Sequence, residues 1–159
     1  MAGLPGKKNL ELIFFDVGLG DCVLAVSDGK VLLIDGGSWC CDSLKLYLKE
    51  KSIRHIHSVI CTHAHEDHVY GLAEIAEIVT FGNEYSNITE FSPSQSFTKL
   101  RECLEKDGKK IIVPQIGDSI TVGNCKVIFL GPGNMASWRT GNDRSLTCML
   151  ECCHKKFLM

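Results

Sequence analysis

Three histidines and one aspartate lie within six residues, directly after an apolar run. In the stretch CTHAHEDHVYG, His63 and His65 alternate at the end of an extended segment, so their imidazoles point to the same side of the chain. Asp67 adds a carboxylate oxygen and His68 a third imidazole as the chain turns into a helix. Such mixed nitrogen and oxygen donors suit zinc and related transition metals. The spacing predicts a metal site, and it favours two adjacent ions over one closed site.

The types of these donors also predict what a metal does there. A structural zinc site usually recruits cysteines and fills all four positions, whereas a His/Asp cluster at the carboxyl end of a strand leaves positions open to water. A bound divalent ion lowers the pKa of water to about 7 and polarises a carbonyl or phosphoryl oxygen. We therefore expect hydrolysis by a metal-activated hydroxide.

Two ordered motifs carry a family resemblance. THAHEDHVYG resembles the His-x-His-x-Asp-His signature of the metallo-β-lactamase fold superfamily, and LLIDGG, with Asp35, resembles the strand-end motif that precedes it. Within that superfamily, FFDVGLGDCVLAV, VLLIDGG and NDRSL are most similar to the hydrolase domain of the ComEC-type DNA-uptake proteins and its free-standing relatives. The resemblance runs from about Leu12 to Met159.

The resemblance implies an αβ/βα sandwich of class α/β, with the metals in a cleft at one edge of its two sheets. His63 and His65 would hold the first ion, and Asp67 and His68 the second. The cofactor would be zinc, as one or two ions, or manganese. Asp35 would hydrogen-bond to the metal-binding loop and orient it, without binding metal itself. The substrate would be a phosphodiester such as nucleic acid or a nucleotide.

The resemblance gives further residues a place near the cleft. Asp67 would act in catalysis, together with Asn142, which would hydrogen-bond substrate or water. Asn142 lies where the superfamily generally supplies another metal-binding histidine, and ComEC-type relatives commonly share this asparagine. Asp16 and Asp21 flank the glycine-bearing turn DVGLGD and would approach the substrate, although turn formation alone also explains them.

The resemblance also predicts an incomplete second half. Family members continue from a strand like HKKFLM into a Thr-Gly-Asp-type turn whose aspartate bridges the metals, and they carry a later histidine. We therefore expect one domain, 1–159, that corresponds to the N-terminal part of the family domain without its C-terminal strands and helices. An unpaired sheet edge would favour a homo-oligomer or a second chain that completes the sheet.

Composition limits the functional class only weakly. The 159 residues carry a net charge of −2 with 45% apolar residues, which allows one globular core and gives no bulk field for nucleic acid. The sequence shows neither a secretion leader nor an apolar run that could span a membrane, so we expect a cytoplasmic protein without membrane partners. We accordingly expect the nine cysteines to be reduced, and most of them to be buried.

Periodicity and turn residues predict the elements around the histidine cluster. Asp28-Gly29 and Gly123-Asn124 are hairpin turns, and HSVICTH is a buried strand that is followed by the helical stretch GLAEIAEIVT. A helix is predicted from Asp42 to Lys51, capped by Ser38 or Asp42, and another from about Phe97 to Lys106, capped by Ser96.

Two alternatives to a phosphodiesterase stay open. The chain could be a non-catalytic metal-binding or interaction module that oligomerises, or a hydrolase of thioesters, lactones or β-lactams, since the same water activation serves carbonyl chemistry.

Three other groups of residues favour structural explanations. Cys152, Cys153 and His154 make a poor metal or redox group because adjacent cysteines on a strand point to opposite faces. His55 and His57 could extend the polar cleft, but we interpret them as ordinary loop and strand-edge residues. A phosphodiester substrate would require a phosphate-facing surface, but we interpret the candidate cations as a solvated face: Lys109, Lys110, Lys155, Lys156, Arg139 and Arg144.

Overall fold

The apolar runs on either side of Asp28-Gly29 form an antiparallel hairpin, as the turn residues predict. Both turn residues have positive φ, at 49° and 71°, which is the backbone that a tight two-residue hairpin requires. The computed structural model describes residues 9–39, 41–87, 94–133 and 140–159. Arg139, from the predicted set of surface cations, lies outside these residues.

The hairpin belongs to a six-stranded sheet whose strands lie side by side in chain order. The strands are β1 (Leu10–Phe14), β2 (Val23–Ser27), β3 (Lys30–Ile34), β4 (His55–Cys61), β5 (Thr80–Ser86) and β6 (Ile111–Ile112). The first three pair antiparallel, and β3 to β6 pair parallel. Parallel neighbours end at the same edge of the sheet, so the residues that follow β3 and β4 come together.

A second, antiparallel sheet has the strand order β10, β9, β8, β7. Its strands are β7 (Ser119–Val122), β8 (Cys125–Gly131), β9 (Thr147–Cys152) and β10 (Lys155–Leu158). The predicted turn at Gly123-Asn124 joins β7 to β8. Inward residues of both sheets, such as Leu32, Ile60, Val127 and Leu150, form one apolar core between them.

Three helices cover the other face of the first sheet. They are α1 (Asp42–Glu50), α2 (Glu66–Ile75) and α3 (Gln95–Lys106), and their apolar faces share a core with β2 to β5. The described residues thus form a helical layer, a mixed sheet and an antiparallel sheet, which confirms the predicted α/β class. Within them, no helix combines the length and apolar character that crossing a membrane requires.

The predicted helices exist, but α2 begins at Glu66, inside the histidine motif, and ends at Ile75 instead of extending over 71–80. The predicted caps of α1 and α3 are wrong. Cys41 is the N-cap residue of α1 and makes no side-chain cap, while Ser38 Oγ donates to the carbonyl of Val17 instead. α3 begins earlier than predicted, and Ser94 rather than Ser96 caps it by accepting the Phe97 amide at 3.1 Å. Several side chains near each helix start could cap it, and tertiary contacts decide which of them reaches an unpaired backbone amide of the first turn.

Candidate metal centre

The metal-binding motif occupies the turn between β4 and α2, beside the end of β3. Asp35 follows β3 directly, and its amide donates to the carbonyl of Ile60 on the neighbouring strand at 2.9 Å. Asp35 has φ 54°, a left-handed conformation that turns its side chain under the β4–α2 turn. Because the two parallel strands end together, a residue of the LLIDGG motif reaches the histidine motif.

Asp35 is buried beneath this turn, with 1% of its surface exposed, and its carboxylate accepts several hydrogen bonds there. Its Oδ1 accepts the amide of Thr62 at 2.8 Å, and its Oδ2 accepts the Thr62 hydroxyl at 2.6 Å. Oδ2 also lies 2.7 Å from Nδ1 of His68. Burial raises the pKa of Asp35 overall, although the bonds from His68 and Thr62 oppose this by stabilising the carboxylate.

These bonds determine where two histidines carry their protons. His68 Nδ1 faces a carboxylate, so it bears the hydrogen and leaves the lone pair on Nε2. Thr62 uses its only hydroxyl hydrogen on Asp35, so toward His63 Nδ1, at 3.1 Å, it can only accept. His63 Nδ1 therefore bears a hydrogen, and its Nε2 also keeps a lone pair. One carboxylate thus prepares two imidazoles to bind a metal through Nε2.

The predicted first pair of ligands is in contact. Nε2 of His63 lies 3.1 Å from Nδ1 of His65, and the ring centroids of His63 and His68 are 4.1 Å apart. His63 is 6% exposed. Burial, followed by the charges of His68 and His65, lowers the pKa of His63 to about 4, so this imidazole is neutral at neutral pH.

The predicted second pair also faces one point. Oδ2 of Asp67 lies 3.8 Å from Nε2 of His68, the nitrogen that the Asp35 bond leaves with a lone pair. Burial lowers the pKa of His68, but the bond and charge of Asp35 outweigh this effect and raise it overall. Both residues lie in the first turn of α2.

The distances within each pair suit a shared ion. At metal–ligand distances of about 2.0–2.2 Å, two donors of a tetrahedral zinc lie about 3.3 Å apart and can never be more than about 4.3 Å apart. The observed separations of 3.1 and 3.8 Å fall within this limit. Among the described residues, no three His, Cys, Asp or Glu side chains gather around a single point. The donors are therefore arranged as two pairs, and each pair needs further ligands.

A loop from the second sheet closes one side of the cluster. A Cβ atom on Gly141 would lie 2.3 Å from Nε2 of His65, so a larger residue at this position would displace the imidazole. Asn142 is exposed and begins a short 3₁₀ turn, Asn142–Arg144. Its side chain acts to raise the pKa of His63, which places it near this imidazole. Ser145 Oγ lies 3.2 Å from His63 Nδ1. Asn142 is therefore beside the predicted first ion site.

The two aspartates of DVGLGD occupy different positions. Asp21 is exposed, and its charge raises the pKa of His68, which places Asp21 on the rim of the cluster. A Cβ on Gly20 would clash with the carbonyl of Asp67, so this loop packs directly on the first turn of α2. Asp16 accepts the amide of Gly18 at 3.2 Å, which is the turn-forming role considered as its alternative.

Glycines and one glutamate hold α2 in place. Gly36 donates to the carbonyl of His68 at 2.8 Å, and Gly71 donates to that of Gly37 at 3.1 Å. A Cβ on Gly71 would lie 1.9 Å from the carbonyl oxygen of Gly36, so helix and loop touch through their backbones. Glu66 accepts both the amide and the hydroxyl of Ser96, which links α3 to the same turn.

Sequence reasoning missed Thr62 and Ser145, which both contact His63 Nδ1. Their signal was available: Thr62 directly precedes the histidine motif, Ser145 lies in the quoted NDRSL stretch, and a buried histidine needs a polar partner. The remaining candidates are structural. His55 contacts Thr80 and His57 accepts the amide of Val31, at the opposite end of β4 from the cluster.

The predicted surface lysines lie on different parts of the fold. Lys109 and Lys110 border β6 of the first sheet, whereas Lys155 and Lys156 lie on β10 of the second. Lys156 pairs with Glu151 at 2.7 Å.

Comparison with known proteins identifies the family. A family model described as the metallo-beta-lactamase superfamily matches residues 15–128. The chain belongs to this superfamily. A comparison with curated protein sequences found no significant match. Members of the superfamily are generally metal-dependent hydrolases and typically bind zinc.

Solved structures of metallo-β-lactamase proteins share the fold at low identity. MIM-2 metallo-beta-lactamase matches with a TM-score of 0.64 and 16% identity over 95% of this chain and 57% of its own. The B3 metallo-beta-lactamase with an active site glutamic acid matches with a TM-score of 0.61 and 17% identity, over 95% and 59%. YhfI from Bacillus subtilis matches with a TM-score of 0.60 and 16% identity, over 94% and 60%. The chain thus spans less than two thirds of the length of these structures.

Proposed function

We propose that this metallo-β-lactamase domain is a metal-dependent hydrolase of phosphodiesters, such as nucleic acid or a nucleotide. The observation that carries the proposal is the pair of donor sets prepared by one buried carboxylate. Asp35 directs the lone pair of His68 outward and, through Thr62, that of His63. A cluster with only a structural role would not need two imidazoles in the same metal-binding tautomer.

The two pairs of ligands divide the work. His63 and His65 would hold one ion, zinc or manganese, and Asp67 with His68 would hold a second. A divalent ion, when bound, makes a water molecule acidic enough to attack at neutral pH and polarises the oxygen of the substrate. Each pair leaves coordination positions open, which substrate and water require.

The surrounding residues orient the reacting groups. Asp35 and Thr62 keep hydrogens on Nδ1 of His68 and His63, so neither ring rotates its metal-facing nitrogen away. Asn142 is exposed beside His63, and its amide can donate a hydrogen bond to a phosphoryl oxygen or to water. Asp67 would serve as a ligand of the second ion, and its other carboxylate oxygen would be free to accept a hydrogen bond from a water molecule.

The phosphodiester assignment rests on the ComEC-type resemblance of DVGLGD, LLIDGG and NDRSL. The charges around the cluster affect how an anionic substrate could bind. The carboxylates of Asp21 and Asp67 border the cluster, so an anionic substrate is repelled until cations are bound. We therefore expect metal to be required for substrate binding as well as for turnover.

The edges of the sheets support a second part of the proposal. β10 has β9 on one side, and no other described strand pairs with its outer edge. Exposed Leu158 lies on this strand. We infer that a second copy or another chain pairs here, since an open strand edge with an apolar side chain favours association. We also propose a cytoplasmic location, which suits a chain whose described cysteines are mostly buried and form no disulfide in the structure.

Metal content per chain is the first test. Elemental mass spectrometry on purified protein is expected to give close to two equivalents of zinc or manganese, and His65→Ala is expected to lose the ion shared with His63. His55→Ala is the matched control, because His55 is an exposed histidine bonded to Thr80, outside the cluster. No bound metal in the wild type would contradict the proposal and favour a non-catalytic interaction module.

Activity distinguishes the substrate classes. A chromogenic phosphodiester, a thioester and a β-lactam are assayed in parallel with the metal-loaded protein, the Asp67→Ala variant and His55→Ala. The proposal predicts that the phosphodiester alone is hydrolysed, that Asp67→Ala abolishes this, and that His55→Ala does not. Turnover retained in Asp67→Ala would contradict the role of this residue. Hydrolysis of only the thioester or β-lactam would overturn the substrate class.

A further inference from the structure

Three cysteines meet at the end of the second sheet that lies away from the metal centre. Cys152 is the last residue of β9, Cys153 is in the β9–β10 turn, and Cys125 begins β8. Cys125 and Cys152 are buried and Cys153 is exposed. None of the three belongs to a disulfide.

The adjacent thiols are close together, against the expectation from strand geometry. Sγ of Cys152 lies 3.5 Å from Sγ of Cys153. Adjacent cysteines within a strand would point to opposite faces. Here β9 ends at Cys152, and Cys153 has φ 53° in a tight turn. The left-handed backbone swings the second side chain back toward the first.

Cys125 adds a third thiol across the sheet. Lys126 pairs with Glu151 in the antiparallel register of β8 and β9, so the next position places Cys125 opposite Cys152. The Cys125 side chain contributes to raising the pKa of the Cys152 thiol, in keeping with this placement. Opposite residues of antiparallel strands have Cα atoms about 4.5–5.5 Å apart, which lies within the range that an unstrained disulfide spans.

We propose that Cys125, Cys152 and Cys153 form a redox modification site that accepts oxidation from a small-molecule disulfide at Cys153 and stores it as a Cys125–Cys152 disulfide. The sulfur of Cys153 attacks the small disulfide, which forms a mixed disulfide and releases one small thiol. Cys152 then attacks the sulfur of Cys153 and releases the second small thiol. Finally, Cys125 attacks the sulfur of Cys152 and returns Cys153 to a thiol.

The steps balance. The two thiols of Cys125 and Cys152 lose two hydrogens and two electrons, and the small disulfide gains them as it becomes two thiols. Cys153 is unchanged at the end. No oxidant other than the small-molecule disulfide is needed.

Exposure and strain determine this order. Cys153 is the thiol that a dissolved disulfide can reach. Burial raises the pKa of the Cys152 thiol, which makes it a poor first nucleophile. A disulfide between neighbouring residues is strained, because consecutive Cα atoms are about 3.8 Å apart, below the range of ordinary disulfides. The final transfer to Cys125 relieves that strain.

The test uses oxidised glutathione on the metal-loaded protein and follows disulfides by mass spectrometry of peptides. The expected product is a cross-link between the peptides that contain Cys125 and Cys152. Cys153→Ser is expected to slow its formation at least about tenfold, because access to the entry thiol governs the rate of exchange. Cys103→Ser, which removes a partly exposed thiol on α3, is expected to leave the rate unchanged.

Two results would overturn the proposal. One is a wild-type protein that acquires glutathione at Cys153 without ever forming the Cys125–Cys152 cross-link. The other is a cross-link that forms equally fast in Cys153→Ser. The wild-type measurement needs no substitution, so the first result cannot arise from a misfolded variant. Leu146, just before β9, donates its amide to the carbonyl of Thr62 beside the metal centre. The three cysteines lie at the other end of β9, so the outcome is independent of the proposed hydrolase activity.

Discussion

Asp35→Asn is the substitution that most directly tests how the metal centre is prepared. The carboxylate accepts three hydrogen bonds, two from Thr62 and one from His68. An amide of the same shape has one accepting oxygen and one donating nitrogen, so it cannot satisfy all three donors. If its oxygen faces His68, its NH₂ meets the Thr62 amide. If its NH₂ faces His68, that imidazole must move its hydrogen to Nε2.

The magnitude follows from the bond that is lost. A hydrogen bond to a charged group contributes about 1.5–3 kcal/mol. Loss of a partner that orients a metal ligand typically weakens metal binding by about 10–100-fold, or about 1.4–2.7 kcal/mol. In the metal-free protein, Asp35→Asn also removes the desolvation cost of a buried charge, which offsets part of the free energy lost with the hydrogen bond. We therefore expect a large loss of zinc affinity beside a smaller change in folding stability.

The assay is competition for zinc against a chromophoric chelator, combined with urea unfolding of the metal-free protein. Asp16→Asn is the matched control, because the Asp16 carboxylate accepts one amide from Gly18, which an asparagine oxygen can also accept. Zinc affinity is expected to fall in Asp35→Asn and to stay unchanged in Asp16→Asn. Equal zinc affinity in wild type and Asp35→Asn would refute the tautomer argument.

Three further predictions concern stability, each measured by urea unfolding. Glu84 is buried and has no hydrogen-bond partner among the described residues, and burial raises its pKa to about 8. The free energy of unfolding should therefore fall as pH rises from about 4.5 to 8, by at most about 1.4 kcal/mol per pH unit. Glu84→Gln should remove this dependence on pH. Gly71→Ala should cost about 3 kcal/mol, because the added Cβ meets backbone rather than a movable side chain. Ser94→Ala should cost about 1 kcal/mol through loss of the α3 cap.

Controls separate these effects from general damage. Glu102→Gln, at an exposed position of α3, should leave the pH slope of the wild type intact. Gly133→Ala should be tolerated, since a Cβ there meets nothing. The sign for Glu84 follows from its raised pKa: the folded chain binds the extra proton between the unfolded and folded values, so acid favours folding. A stability that is flat over this pH window would contradict the burial of an unpaired carboxyl.

The sequence was sufficient to predict the local geometry of the candidate metal centre. Alternation places His63 and His65 on one side of an extended segment, and the start of a helix brings Asp67 beside His68. These are neighbours along the chain, so strand and helix periodicity alone determine their relative directions. The two hairpin turns were equally predictable, because Asp28-Gly29 and Gly123-Asn124 favour positive φ without help from distant residues.

Only the tertiary structure decided how that motif is prepared and where the thiols meet. Asp35 reaches Thr62 and His68 because β3 and β4 are parallel neighbours, a pairing that no local pattern encodes. The β8–β9 register places Cys125 opposite Cys152, and the left-handed backbone of Cys153 and His154 after β9 brings Cys153 to Cys152. Hydrogen bonds and thiol contacts extend only a few ångströms, so they depend on register and backbone direction, which are settled when the sheets assemble.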